Sequence, residues 1–140
     1  MILVKADKNT EAGVMPSEQL HAAMIKFNEE LAQAGVLLGC DGLQPSSKGA
    51  RVKFSKDQRR VINGPFGEPR ELICGFWIWN VKSIEEAIEW VKRCPNPTGA
   101  ECEIEIRQMM EMDDFGPEMP ATLKERATDL FNRLRHPAEG

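Results

Sequence analysis

Apolar positions recur along this chain in two rhythms, one of about 3.6 residues and one of two. Ile2 to Ala6 is a short apolar run that reads as a first strand, and the loop after it ends at Met15-Pro16. Ser17 stands where a helix N-cap belongs. Leu20, Met24, Phe27 and Leu31 then follow at intervals of four, three and four, which draws a single apolar stripe along a helix. Glu18, Lys26, Glu29 and Glu30 take the other faces, and Gly35 ends the segment as a C-terminal glycine does. Val36-Leu37-Leu38 follows, and the stretch Gly39 to Gly49, with three glycines and Pro45, reads as loop.

The rhythm then shortens to two. Arg51 to Ser55 alternates basic and apolar residues, turns at Lys56-Asp57-Gln58, and returns through Arg59 to Ile62, the pattern of a β-hairpin. Asn63-Gly64-Pro65-Phe66-Gly67-Glu68-Pro69 interrupts with four Gly or Pro residues before Leu72 to Val81 resumes as a strand. Ile73, Gly75, Trp77, Trp79 and Val81 share one face of that strand, and Leu72, Cys74, Phe76, Ile78 and Asn80 share the other. Both faces are largely apolar, so both need cover. Ser83-Ile84-Glu85-Glu86 is a capping box, in which the serine accepts from the Glu86 N–H and the Glu86 carboxylate reaches back to the Ser83 N–H. Ile84, Ala87, Ile88 and Val91 form the buried stripe of the helix it opens, which Cys94-Pro95 ends. Glu101 to Met110 alternates again, with Cys102, Ile104 and Ile106 inward. Beyond Gly116, Pro117 and Pro120, the residues Leu123, Ala127, Leu130 and Leu134 predict a C-terminal amphipathic helix.

The order strand, helix, hairpin, strand, helix, strand, helix is an α+β pattern, nearest to a ferredoxin-like sheet with helices on one face. Two principal helices cover one face. Each large aromatic left in water forfeits about 1.5–3 kcal/mol, so cover for the second face is expected from another copy of the chain. The expectation is a two-fold homodimer with its sheets face to face and Trp77 and Trp79 shielded. The competing arrangement is a monomer whose C-terminal helix folds over its own sheet.

Length and composition narrow this further. The 140 residues, 41% apolar and 29% charged, suit one globular core that needs neither disulfides nor a structural metal. A formal net charge of -4 gains little from phosphate backbones, so nucleic acid is not an expected partner. The charge is uneven: Lys48 to Arg60 holds six basic residues against Asp57, and Glu101 to Glu118 holds seven acidic residues against Arg107. Cys40, Cys74, Cys94 and Cys102 contain no C-x-x-C pair, and His21 and His136 are the only imidazoles, so no metal site and no cofactor are expected. The start lacks a signal peptide's apolar region and no stretch is long enough to span a membrane. The expected setting is cytoplasmic, with reduced and mostly buried thiols.

The segment Asn63-Gly64-Pro65-Phe66-Gly67-Glu68-Pro69-Arg70-Glu71 resembles the signature of YCII-related proteins of the DGPF-domain branch, which reads D-G-P-F-A-E-T-K-E. Further matching segments are Phe27 to Leu31 with Ala34 to Leu37, Gly42 to Ser46, and Ser83 to Trp90 leading to Arg93-Cys94-Pro95. Together they span Met1 to about Met110. The resemblance implies a YCII-related domain over residues 1–112, a ferredoxin-like fold and a dimeric α/β barrel, with residues 113–140 as a linker and helix packing on the same domain or its partner. It implies no particular reaction. Asn63 replaces the signature's Asp, and Gln44 stands where many relatives have His, so neither position offers a base that titrates near neutral pH.

Candidate ligand contacts follow from these patterns. The loop residues Asn63, Gly64, Phe66, Glu68 and Glu71 either rim a cleft or form a turn anchored in the core by Phe66. Glu103, Glu105 and Arg107 share a strand face that either looks into an intersubunit space or pairs across strands with Arg51 or Lys53. Glu103 and Arg107, with Trp77 and Trp79, complete the candidate cleft. His21, on the polar side of the first helix, has no acidic partner at a suitable spacing. The functional expectation is a homodimer that binds, and in one version transforms, a small organic molecule between subunits; the alternative is a non-catalytic dimerisation or regulatory module.

Overall fold

The computed structural model describes residues 1–135, so His136 lies outside the described residues. The chain forms two compact units, Met1–Arg107 and Gln108–Gly140. In the first, β1 (Ile2–Lys5), α1 (Lys8–Glu11), α2 (Glu18–Gln33), β2 (Leu37–Gly42), β3 (Ala50–Ser55), β4 (Gln58–Asn63), β5 (Ile73–Trp79), α3 (Ile84–Arg93) and β6 (Ile104–Ile106) follow in turn. The second carries α4 (Ala121–Arg135). The class is α+β. β2, β5, β1 and β6 make one antiparallel sheet in that order, and β3 with β4 makes a separate two-stranded sheet.

The apolar stripe of α2 drives the packing. Phe27 and Leu31 are buried against Ile2 and Val4 of β1 and Trp77 and Trp79 of β5. Phe27 meets three indoles edge-on, with ring centroids 6.1 Å from Trp77, 6.3 Å from Trp79 and 6.4 Å from Trp90 of α3. Edge-to-face contacts of this kind add about 0.5–1.5 kcal/mol to the burial itself. Trp77 and Trp79 therefore have their cover from helices of their own chain, and the expectation that they need a second copy is corrected. The face left partly exposed is the other one. Leu3 and Phe76, which are cross-strand partners, lie there with Ile78, all partly buried.

Several local expectations shift by a few residues. α1 falls inside the segment expected to be loop, where Asp7 caps it by accepting from the Thr10 N–H at 2.8 Å and the Thr10 hydroxyl accepts from the Asp7 N–H at 2.8 Å. β2 runs on to Gly42 through residues expected to be loop, because Gly39 to Gly42 pair with β5. β6 is only three residues long, not the full alternating run. At α3, Ser83 accepts from Glu86 as expected, but the Glu86 carboxylate accepts from the Lys82 N–H at 2.7 Å, one residue earlier than a standard box. The thiols are less buried than expected: Cys40 is exposed, Cys74, Cys94 and Cys102 are half-buried, and all four are free. No described helix is long and apolar enough to cross a membrane.

Candidate functional site

A cleft of about 1190 Å³ lies on the helix-covered side of the sheet in the first unit. Its floor is Val4 of β1, Gly75 and Trp77 of β5, and Cys40 and Gly42 of β2. Leu20, Met24 and Asn28 of α2 form one wall, and the segments Asp7 to Ser17, Leu43 to Pro45 and Asn96 to Gly99 contribute the rest. These walls form because the amphipathic stripe of α2 runs on past the buried Phe27 toward Leu20, leaving its N-terminal half over the end of the sheet.

Hydrogen bonds hold each wall. The Trp77 indole N–H donates to Asn28 Oδ1 at 2.7 Å, locking that amide over the floor. The Asn96 side chain accepts from the N–H groups of Thr98 and Gly99 at 3.1 and 2.9 Å and donates to the Ala100 carbonyl at 2.8 Å. One asparagine thus shapes a whole turn. The Leu43 N–H donates to the Cys74 carbonyl at 2.9 Å. Behind Pro45, Ser46 donates through its N–H and its hydroxyl to the two oxygens of Glu11, the first at 3.1 Å, and its hydroxyl accepts from the Phe66 N–H at 3.1 Å.

The lining has an electrostatic sign. Among the described lining residues the one carboxylate on this side of the sheet is that of Asp7, since Asp41 pairs with Phe76 and so faces the other side, and no Lys, Arg or His lines the cleft. Asp7 is committed to capping α1. Burial first, and then the negative charge of Asp7, pushes the Cys74 thiol above its ordinary range. Cys74 is accordingly a neutral thiol near physiological pH, a poor nucleophile.

Of the candidate ligand contacts named from the sequence the cleft takes in only Trp77, and Gln44, which stands where many relatives have His, lines it as well. Trp79 is buried beneath α2, and its indole N–H has no partner among the described residues. Asn63, Glu68 and Glu71 are exposed, and none lines the cleft. Phe66 is half-buried and does not join the core cluster. Its ring instead lies beside Gly49 and under the Arg51 guanidinium, 4.2 Å from the ring centroid. Gly64 passes close to Ser46 and donates its N–H to the Gly49 carbonyl at 2.9 Å. Glu105 lies opposite Leu3 and reaches Lys5 diagonally across the strands at 3.9 Å and Arg107 at 3.5 Å, pairing with neither Arg51 nor Lys53. Glu103 and Arg107 are exposed, and His21 is an exposed residue of α2 that does not line the cleft.

Fold and cleft together define an antiparallel α+β protein with two covering helices and an open, largely apolar hollow beside its central strands. Within that class the chain belongs to the YCII-related family, whose domain model matches residues 1–112. It is similar to an uncharacterized protein, R00369, of Rhizobium meliloti (strain 1021), with 27% identity over 92 residues, 66% of this chain and 74% of that protein.

Proposed function

We propose that this YCII-related protein binds a small organic molecule in the cleft beside Trp77 and Asn28, and that it works as a homodimer. The observation that carries the binding reading is the cleft itself, with an apolar floor, side-chain amides at Asn28 and Asn96, and the Asp7 carboxylate as the one charged group on its side of the sheet among the described lining residues. Concave, mostly apolar hollows with a few placed polar groups are the usual form of a ligand site. A phosphate or carboxylate ligand would meet like charge there, so the fitting class is neutral or cationic and partly apolar, such as an arylalkyl amine. Binding rather than catalysis is favoured because Asp7 is occupied as a cap and Cys74 is held protonated. The strand order supports the ferredoxin-like assignment, and the partly exposed face bearing Leu3, Phe76 and Ile78 supports sheet-to-sheet pairing of two copies into a barrel.

Saturation-transfer NMR with phenethylamine and 3-phenylpropanoate, a size-matched pair of opposite charge, tests the reading. The amine is expected to bind and the acid not to. A Cβ at Gly42 meets no atom within 4 Å, so Gly42→Phe fills the cleft and is expected to abolish the signal in a folded protein. Equal binding of both probes, or binding that survives Gly42→Phe, rejects this site.

A further inference from the structure

We infer that Asn28 is the specificity-determining contact of the cleft: its side chain is fixed as a hydrogen-bond donor, so the molecule bound there presents a carbonyl oxygen to it. The inference rests on the binding reading above and names the chemical group that is recognised. An indole nitrogen can only donate. The Asn28 atom 2.7 Å from Trp77 Nε1 is therefore the amide oxygen, and turning the amide over would set donor against donor. Trp77 is a steady partner, buried in the core with Phe27 packed edge-on against it. The NH2 group of Asn28 is thereby aimed away from the indole.

That group is both unused and open. Asn28 Nδ2 makes no hydrogen bond among the described residues, yet it is not sealed in, because the one buried side-chain nitrogen or oxygen without a partner there is Trp79 Nε1. A half-buried amide that lines the cleft thus keeps a donor available to whatever enters it. Other polar groups of the lining are committed to the fold. Asp7 and Thr10 satisfy each other, Ser17 accepts from the Leu20 N–H, and Asn96 uses both ends of its amide on its own turn. The remaining amides, Asn9, Gln19 and Gln44, are exposed, and none is held by a buried partner. A fixed donor in a largely apolar hollow favours an acceptor, since an apolar group set against it would strip its water and return nothing. A carbonyl oxygen fits best, because it accepts without bringing a donor of its own to be satisfied.

Nitrogen–proton NMR titration of the full chain tests it, with benzylacetone as a neutral arylalkyl ketone and phenethylamine as a probe that has no acceptor at neutral pH. Both are expected to bind. The side-chain NH2 signals of Asn28, assigned through their own Cβ, are expected to move downfield with the ketone and to stay in place with the amine. Asn28→Asp keeps an oxygen for the Trp77 N–H and exchanges the donor for a second acceptor. It is expected to weaken the ketone at least about 10-fold while the amine binds as tightly as before or more so. Where that variant fails to fold, the Asn28 signals of the unmodified chain decide alone. A ketone that does not bind, that leaves those signals in place, or that binds folded Asn28→Asp undiminished overturns the donor role, and with the amine still bound the cleft reading stands. Binding of neither probe overturns both.

Discussion

Gly64 passes so close to Ser46 that a Cβ on the glycine would lie 1.7 Å from the Ser46 carbonyl oxygen and 2.6 Å from its carbonyl carbon. Backbone meets backbone there, so no rotamer change relieves the clash. Gly64→Ala is expected to destabilise by about 3 kcal/mol or more, measured by urea denaturation. Gly42→Ala, where the added methyl meets nothing within 4 Å, is the control and is expected to stay within about 1 kcal/mol.

The same contact explains why the loop needs Ser46. Its hydroxyl donates to Glu11 and accepts from the Phe66 N–H, joining α1, the Ser46–Lys48 turn and the 63–67 loop. Ser46→Ala removes both bonds and leaves a part-buried carboxylate short of a donor. The expected cost is about 1–3 kcal/mol. Amide exchange at Phe66 should quicken in the same variant, and unchanged exchange there would show that the hydroxyl is not the link.

Much of the fold was legible because its signals are periodic. The 4-3-4 stripe of Leu20, Met24, Phe27 and Leu31, the alternation through Trp77 and Trp79, and the serine caps at Ser17 and Ser83 each gave an element of the right type. The sheet partner of a short run is not periodic information, so β2 beyond Leu38 and the brevity of β6 were not readable. α1 escaped because a threonine, in place of Glu or Gln, closes its capping box. The side on which the tryptophans find cover was also hidden, since alternation sorts residues into two faces without saying which face the helices take. The cleft was the least legible part. Asn28 lies in the family-matching segment Phe27 to Leu31, but nothing there marks it as a contact residue, and its role comes from the distant Trp77.

The two neighbouring indoles give a direct comparison. Trp77 Nε1 donates to Asn28, whereas Trp79 Nε1 is buried with no partner among the described residues. Replacing either by Phe trims a similar amount of apolar contact. Trp77→Phe also orphans the Asn28 carbonyl oxygen, while Trp79→Phe removes a donor that already lacks a partner. Trp77→Phe is expected to be the more destabilising by about 1 kcal/mol in denaturant titrations, and equal losses would argue against the bond as a net contributor.

Alkaline pH should weaken the fold through its thiols. Burial first, and then the charge of Cys102, pushes Cys94 up to about 11 from an ordinary 9.0, and Cys74 is raised for the same leading reason. The folded chain therefore keeps these protons after the unfolded chain has released them. The unfolded state binds fewer protons across that window, so stability falls as pH rises. The contribution is fully present below the unfolded value of 9.0 and is lost progressively toward about 11. Denaturation midpoints should be flat from neutrality to the low end of this window and then decline. Cys94→Ala should flatten that decline in part, and Cys94→Ala with Cys74→Ala should flatten it further. A decline of unchanged steepness in the double variant would place its origin in other groups.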